Sequence, residues 1–156
     1  MGYGDIGHSR LEIDRMVKHR GKQSLRFTSA QGPSLIALSS VPFMVERDDS
    51  IKIQFFVKAR ELRRGYTGRA GTLNVAMAGS SLDLRPALRV YIPEGTYDWT
   101  MMEARLQIFG NVPEGRALPC RLAFEFFGEG TLWLDDIVVC PTTRRSSRTG
   151  QPTPRP

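Results

Sequence analysis

Apolar and polar residues alternate with a period of two along most of the chain. This alternation is typical of β-strands that bury one face. The breaks between the alternating stretches carry turn residues, for example "RGK", "QGP", "GRAG", "PEG" and "GEG". The predicted strands cover residues 10–18, 24–29, 34–43, 51–59, 72–79, 87–92, 99–109, 120–127 and 131–139. Short strands with regular turns and almost no helical pattern predict an all-β sandwich or barrel.

The same alternation assigns side chains to faces. In residues 51–57, Ile51, Ile53 and Phe55 point to the core, whereas Gln54 and Phe56 point outward. Trp99 begins a later strand and is predicted to pack in the core. The pattern allows one outer face that combines three aromatic residues with polar ones: Phe56, Tyr91 and Phe127 with Gln54, Arg89, Arg105, Gln107, Arg121 and Glu125.

Length and charge separate a folded body from a tail. The 156 residues are 40% apolar, which suits one ordinary domain over residues 1–140. The net charge is +6, and four of the 22 basic residues are arginines that follow residue 140. The body of the domain therefore has 18 basic and 16 acidic residues. Residues 141–156 are rich in Pro, Arg, Ser and Thr, so we expect a disordered linker or tail. No specific nucleic-acid partner is predicted, since only non-specific attraction to polyanions follows from this charge.

Targeting signals are absent from the pattern. No apolar run reaches the roughly 18 residues that a membrane span needs, so no span is predicted. The first residues, "MGYGDIGHSR", lack the charged and apolar regions of a signal peptide.

Four segments in order suggest a family: "GKQSLRFTS", "IKIQFFVKAR", "GTYDWTMMEARLQI" and "VPEGRALPCRLAFEFFGEGTLWLDDIVV". Over roughly residues 19–139 the chain resembles the jelly-roll carbohydrate-binding modules with a galactose-binding-like fold that are appended to glycoside hydrolases. The resemblance implies an antiparallel β-sandwich of about eight to nine strands. It also implies a non-catalytic module that binds a polysaccharide or glycan, a covalently linked catalytic domain, an extracellular or cell-envelope location, and a structural calcium ion near the final strand.

Candidate ligand-binding residues follow from what sugars require. A pyranose ring offers apolar C–H faces to flat aromatic side chains and hydroxyl groups to polar ones. The candidates are Tyr66, Tyr91, Phe56, Gln54, Arg105 and Phe127; Tyr66 lies in the polar loop "RRGYTGRAG". For Phe56 and Phe127 the alternative interpretation is coverage by a loop.

The last predicted strand carries adjacent carboxylates in an apolar run, "TLWLDDIVV". Trp133 shares a face with Asp135 and Val139, and both faces are largely apolar, which predicts a strand buried on both sides. A buried carboxylate needs a partner. The resemblance assigns Asp135 to calcium; the alternative is a carboxylate that accepts hydrogen bonds from backbone or arginine groups.

Catalytic patterns are missing. Adjacent residues of a strand point to opposite faces, so Asp135 and Asp136 are not expected to act together on one substrate. His8 and His19 lie in polar, turn-like surroundings, and no nucleophile or phosphate loop is recognisable. The sequence therefore predicts no enzyme activity.

Two questions stay open. Cys120 and Cys140 flank the last two strands; they would form a disulfide if these strands lie side by side, or remain two separately buried thiols. The alternative function is a structural or protein-interaction jelly-roll domain of a multidomain extracellular protein, without sugar binding. Two or more exposed aromatic residues in one groove would favour glycan binding, and a flat charged face would favour the alternative.

Overall fold

The described part of the computed structural model, residues 9–30, 36–46, 50–65, 67–77, 88–107 and 117–142, contains ten β-strands. All pairs of neighbouring strands are antiparallel. The strands are β1 Ser9–Asp14, β2 Ser24–Ser29, β3 Ile36–Ser39, β4 Phe43–Glu46, β5 Ser50–Arg63, β6 Gly71–Met77, β7 Leu88–Ile92, β8 Gly95–Gln107, β9 Ala117–Phe126 and β10 Glu129–Thr142.

The strands form two sheets that pack as a sandwich. Sheet A has the order β1-β2-β10-β5-β8, and sheet B has the order β3-β9-β6-β7, with β4 also paired to β9. The prediction of an all-β antiparallel sandwich is confirmed. The described strands number ten rather than eight to nine.

Alternate residues of both sheets meet in one core. Ile51, Ile53 and Phe55 are fully buried, which confirms the predicted inner face of β5. Phe27 of sheet A packs against Phe124 of sheet B with ring centroids 4.8 Å apart. The period-two pattern therefore identified the core correctly, because the side-chain alternation depends only on the local extended backbone.

The extra strand arises at Pro42. The segment predicted as one strand over 34–43 is divided into β3 and β4, which pair with successive parts of β9. Proline lacks the N–H that a ladder needs, so it is found at bulges and edges of sheets. Ser40 holds the break against β9: its N–H donates to the carbonyl of Leu122 (2.9 Å), and its Oγ accepts from the N–H of Leu122 (3.0 Å).

The "GEG" turn passes from one sheet to the other. β9 belongs to sheet B and β10 to sheet A, so the last two strands do not lie side by side. Cys120 is buried and Cys140 is exposed, and both are free thiols. The disulfide alternative is therefore wrong, and of the predicted pair of buried thiols only Cys120 is buried.

Strand β10 lies in the middle of sheet A, between β2 and β5. Residues 131–134 are buried on both faces, as predicted, but the prediction is wrong for the second half of the strand, where Ile137 and Val138 are exposed. It ends at Thr142, and the remainder of the predicted tail lies outside the described residues. No helix in the described part of the chain has the length and apolar character needed to cross a membrane.

Candidate functional site

The predicted ligand-binding residues lie on two different sheets. Phe56, Gln54 and Arg105 belong to β5 and β8 of sheet A, whereas Tyr91 belongs to β7 of sheet B. Tyr66 lies outside the described residues. The predicted single outer face is therefore wrong, because alternation within each strand cannot show which sheet the strand joins.

Phe127 lies one residue beyond β9, in the connection to sheet A. Its N–H donates to the carbonyl of Ala70 (2.9 Å), and its side chain is half-buried. Its position is thus determined by the crossing between the sheets.

On sheet A, the predicted polar residues bind a shared carboxylate. Glu103 accepts hydrogen bonds from Gln54 Nε2 (2.9 Å) and Arg105 Nε (3.2 Å), and it pairs with Lys52 Nζ (3.2 Å). The hydrogen bond from Lys52 is the largest of the effects that hold the pKa of Glu103 below its ordinary value. Gln54 and Arg105 are thus engaged with a neighbour on an ion-paired face.

Phe56 is covered by the segment between β1 and β2. The imidazole of His19 stacks on the Phe56 ring with centroids 3.7 Å apart and planes 15° from parallel. Trp99 lies beside the same imidazole, 5.7 Å between centroids. The loop-covered alternative holds for Phe56, and Trp99 packs beside His19 instead of in the core, so its predicted core position is wrong.

The adjacent carboxylates of β10 meet the same histidine. Asp135 Oδ2 accepts from the backbone N–H of His19 (2.8 Å), and Asp136 Oδ2 lies 2.8 Å from His19 Nδ1. The prediction that the two carboxylates act on opposite faces is wrong here. Asp136 has a left-handed backbone (φ 48°), and the register of β10 against β5 shifts between Asp135 and Val138. This bulge adds one residue, which interrupts the alternation.

The bulge also exchanges the faces of the residues that follow. Val139 packs against the core, whereas Val138 is exposed. The predicted grouping of Val139 with Trp133 fails for this reason. The two carboxylates together hold the β1–β2 segment on the outer surface of sheet A.

The surroundings of Asp135 match the hydrogen-bonding alternative. Its Oδ2 accepts from the N–H of His19 and its Oδ1 accepts from the N–H of Asp136 (2.8 Å). Among the described residues, no group of three or more His, Cys, Asp and Glu side chains could hold a metal ion. Ligation of calcium by Asp135 stays a prediction of the resemblance.

Trp133 lies on the outer side of sheet A and is buried beneath the segment that follows β1. Its Nε1 donates to Asp14 Oδ2 (2.9 Å), while Asp14 Oδ1 accepts from the N–H groups of Met16 (2.8 Å) and Val17 (2.9 Å). Burial raises the pKa of Asp14, but the hydrogen bonds from Val17, Trp133 and Met16 outweigh it and hold the pKa below its ordinary value. Trp133 is buried and joins β10 to the end of β1 through Asp14, so its role is to stabilise the fold.

The outer face of sheet B carries a connected polar network. Arg89 Nε donates to Asn74 Oδ1 (2.9 Å), Asn74 Nδ2 donates to Glu125 Oε2 (2.8 Å), and Thr72 Oγ1 donates to the same carboxylate oxygen (3.1 Å). The network crosses β7, β6 and β9 in neighbouring register positions. Thr72 and Asn74 are buried, whereas Glu125 and Arg89 are half-buried, so the network offers a ligand the acceptor oxygens of Glu125 and the N–H donors of Arg89.

Tyr91 stands next to this network. It pairs in register with Thr72, which in turn faces Glu125, so the three side chains form one row across the sheet. Arg69 lies over the Tyr91 ring with its guanidinium carbon 5.0 Å from the centroid. Tyr91 is 52% exposed and is the one exposed aromatic side chain in the described ranges, so the groove with two or more exposed aromatic residues that would favour glycan binding is not found there. We call Thr72, Asn74, Arg89, Tyr91, Glu125 and Arg69 the sheet B cluster.

Sequence reasoning identified part of this cluster. It selected Tyr91 and placed Arg89 and Glu125 on an outer face, but it did not select Thr72 or Asn74. The alternation in "GTLNVAM" was a usable signal, because Leu73 and Val75 point to the core and their neighbours must then point outward.

Comparisons with known proteins support the fold. The chain matches no family model and no curated protein. Among solved structures it is similar to a family 16 carbohydrate-binding module (10% identity, 88% of this chain and 89% of that chain, TM-score 0.55). It is also similar to a carbohydrate-binding module from Cellvibrio mixtus lichenase 5A in complex with cellotriose (12% identity, 90% and 92%, TM-score 0.50).

A cyclase from Fischerella sp. TAU is similar over 86% of this chain and 74% of that chain, with 10% identity and a TM-score of 0.59. The fold is thus shared by binding modules and by an enzyme, as is common for β-sandwiches. The chain has the jelly-roll β-sandwich fold of these carbohydrate-binding modules.

Proposed function

We propose that this protein is a glycan-binding module and that the sheet B cluster is its binding face. The observation that carries the proposal is the exposed ring of Tyr91, which lies in the same row as the half-buried carboxylate of Glu125 and beside the half-buried guanidinium group of Arg69. The ring can pack on the C–H face of a sugar, and the polar groups can bind its hydroxyls. Similarity to carbohydrate-binding modules supports the proposal at the level of the fold.

The charge of this face suggests which glycans to test. Among the described residues on the outer face of β6, β7 and β9, Arg89 and Arg121 stand with the carboxylate of Glu125, and Arg69 lies over Tyr91; Glu46 adds a second carboxylate on β4. The hydrogen bonds from Asn74 and Thr72 already engage the carboxylate of Glu125. Glycans with carboxylate or sulfate groups are therefore expected to bind more tightly than neutral ones, and increasingly so at low salt.

Affinity electrophoresis and calorimetry against neutral and acidic polysaccharides test the proposal. Tyr91→Ala is expected to weaken binding by roughly fivefold or more, because stacking on an aromatic ring contributes about 1 kcal/mol beyond burial. Met101→Ala is the matched control, since Met101 is equally exposed at 52% but lies on sheet A. Tyr91→Phe separates the ring from its hydroxyl group.

Two results would contradict the assignment. Equal losses in Tyr91→Ala and Met101→Ala would mean that the face is misassigned. No binding to any polysaccharide, with the wild-type protein folded, would favour the alternative of a structural or protein-interaction domain. The ion-paired face of sheet A, with Lys52, Glu103 and Arg105, is the observation that supports this alternative.

Further parts of the proposal concern the whole protein. We propose that the module is non-catalytic, holds a covalently linked enzyme on its polysaccharide, and works outside the cell or in the cell envelope. The Pro-, Ser- and Thr-rich composition of residues 141–156 supports a linker. Fusing the chain to a polysaccharide hydrolase tests this, since Tyr91→Ala should then reduce activity on insoluble substrate and leave activity on soluble substrate unchanged.

A further inference from the structure

A large apolar cavity lies between the two sheets, away from the sheet B cluster. It has a volume of about 630 Å³. Leu25, Leu134 and Val139 of sheet A line it, and so do Leu73 and Phe124 of sheet B. Closely packed protein interiors contain few voids larger than one water molecule, so a space of this size among core side chains is unusual.

Two irregular stretches of backbone border the cavity. One is the Ser40–Pro42 break between β3 and β4, and the other is the residue after the Asp136 bulge in β10. Val41 is 80% exposed and Ile137 is 40% exposed, and both line the cavity. The floor, in contrast, consists of buried core side chains such as Leu73 and Phe124. The cavity therefore extends from the surface into the core.

The lining selects against polar ligands. Among the described residues that line it, only Ser39 and Ser40 carry a side-chain hydroxyl group, and both hydroxyls are already engaged. Ser40 Oγ donates to the carbonyl of Val41 (2.8 Å) and accepts from the N–H of Leu122 (3.0 Å), and Ser39 Oγ donates to the carbonyl of Ser40 (3.4 Å). A sugar bound here would lose its hydrogen bonds to water without replacement.

We propose that this cavity binds one uncharged, apolar small molecule, at a site separate from the glycan-binding face. The volume lies within the range of about 300–1,000 Å³ that is usual for small-molecule sites. A folded protein domain cannot reach the core side chains of the floor through a space of this size. Burial of apolar surface supplies the affinity, since the lining offers hydrocarbon groups from both sheets.

Titration with the neutral fluorescent probe N-phenyl-1-naphthylamine tests the proposal. We expect saturable binding of one probe per chain and a higher melting temperature in its presence, because a ligand that binds only the folded state stabilises that state. Val139→Phe, which adds a ring inside the cavity, is expected to weaken binding at least tenfold. Val138→Phe is the matched control, because Val138 is the preceding residue of β10 and is exposed.

Several outcomes would overturn the proposal. These are the absence of saturable binding, equal effects of Val139→Phe and Val138→Phe, and a melting temperature lowered by the probe, which would indicate binding to loosely packed protein. If Val139→Phe does not fold, Val41→Trp at the exposed rim replaces it with the same expectation. Neither result depends on glycan binding, so failure here leaves the proposed function untouched.

Discussion

Replacing Asp14 by alanine is expected to destabilise the protein more than any ordinary surface substitution. Asp14 is buried at the end of β1, and its carboxylate accepts from Trp133 Nε1, from two backbone N–H groups and from Arg26. Alanine removes all four contacts at once. The indole N–H of Trp133, which is 5% exposed, is then left without a partner in the described structure.

The magnitude follows from the surroundings of each donor. An unpaired buried N–H costs about 1–3 kcal/mol, which applies to Trp133. The N–H groups of Met16 and Val17 lie in a partly buried turn and can form hydrogen bonds to water instead. The loss of each hydrogen bond to Asp14 therefore costs about 0.5–1 kcal/mol. The partly exposed pair with Arg26, 3.3 Å long, adds about 0–1 kcal/mol. The expected loss is thus about 2–6 kcal/mol.

Equilibrium unfolding in urea at neutral pH, followed by tryptophan fluorescence and circular dichroism, measures this loss. Asp98→Ala is the control, since Asp98 forms an exposed pair with Lys58 and its removal should barely move the midpoint. A double-mutant cycle with Trp133→Phe isolates the hydrogen bond to the indole.

The pH dependence provides a second readout. The folded-state pKa of Asp14 is lowered, so its stabilising effect is present above the unfolded pKa of about 3.9 and disappears as the pH falls through the folded pKa. Asp14→Asn should lack this acid-side component. The reasoning would be refuted if Asp14→Ala cost less than about 0.5 kcal/mol, or if its effect and that of Trp133→Phe were strictly additive.

Three further predictions concern the turn, the metal and the thiols. Gly130→Ala should lower the free energy of unfolding in urea by about 1–3 kcal/mol more than Gly95→Ala, because both glycines have positive φ but only at Gly130 would a Cβ meet neighbouring backbone. If Asp135 serves only to accept from the N–H groups of His19 and Asp136, calcium added after chelation should leave the melting temperature unchanged, whereas ligation of calcium would raise it. Ellman's reagent should modify one thiol of the native protein, the exposed Cys140, since Cys120 is buried and its burial raises its pKa.

Each of these predictions has an outcome that contradicts it. Equal losses of stability in Gly130→Ala and Gly95→Ala would show that the close approach of backbone at Gly130 has no effect on stability. A melting temperature that calcium raises, with the rise abolished by Asp135→Asn, would establish calcium ligation instead. Rapid modification of two thiols before unfolding would mean that sheet B opens around Cys120.

The candidate site was only partly predictable from the sequence. Tyr91 was selected correctly as an outward aromatic residue, because its parity in "ALRVYI" needs only the local backbone. Grouping it with Phe56 was wrong, since their strands lie in different sheets. Asn74 and Thr72 belong to the cluster because β6 lies between β7 and β9, and the alternation within β6 does not show which strands are its neighbours.

The stretch "GTLWLDDIVV" shows where local reasoning ends. The sequence by itself determined that this is a strand with two apolar faces and that its carboxylates need partners, since side-chain alternation and the cost of burying charge are local properties. Only the tertiary structure decided that β10 lies centrally in sheet A, and that a left-handed Asp136 creates a bulge. As a result both carboxylates bind His19, 116 and 117 positions away in the chain. Contacts over that distance in sequence depend on which strands and segments meet in space, and the alternation of apolar and polar residues does not predict them.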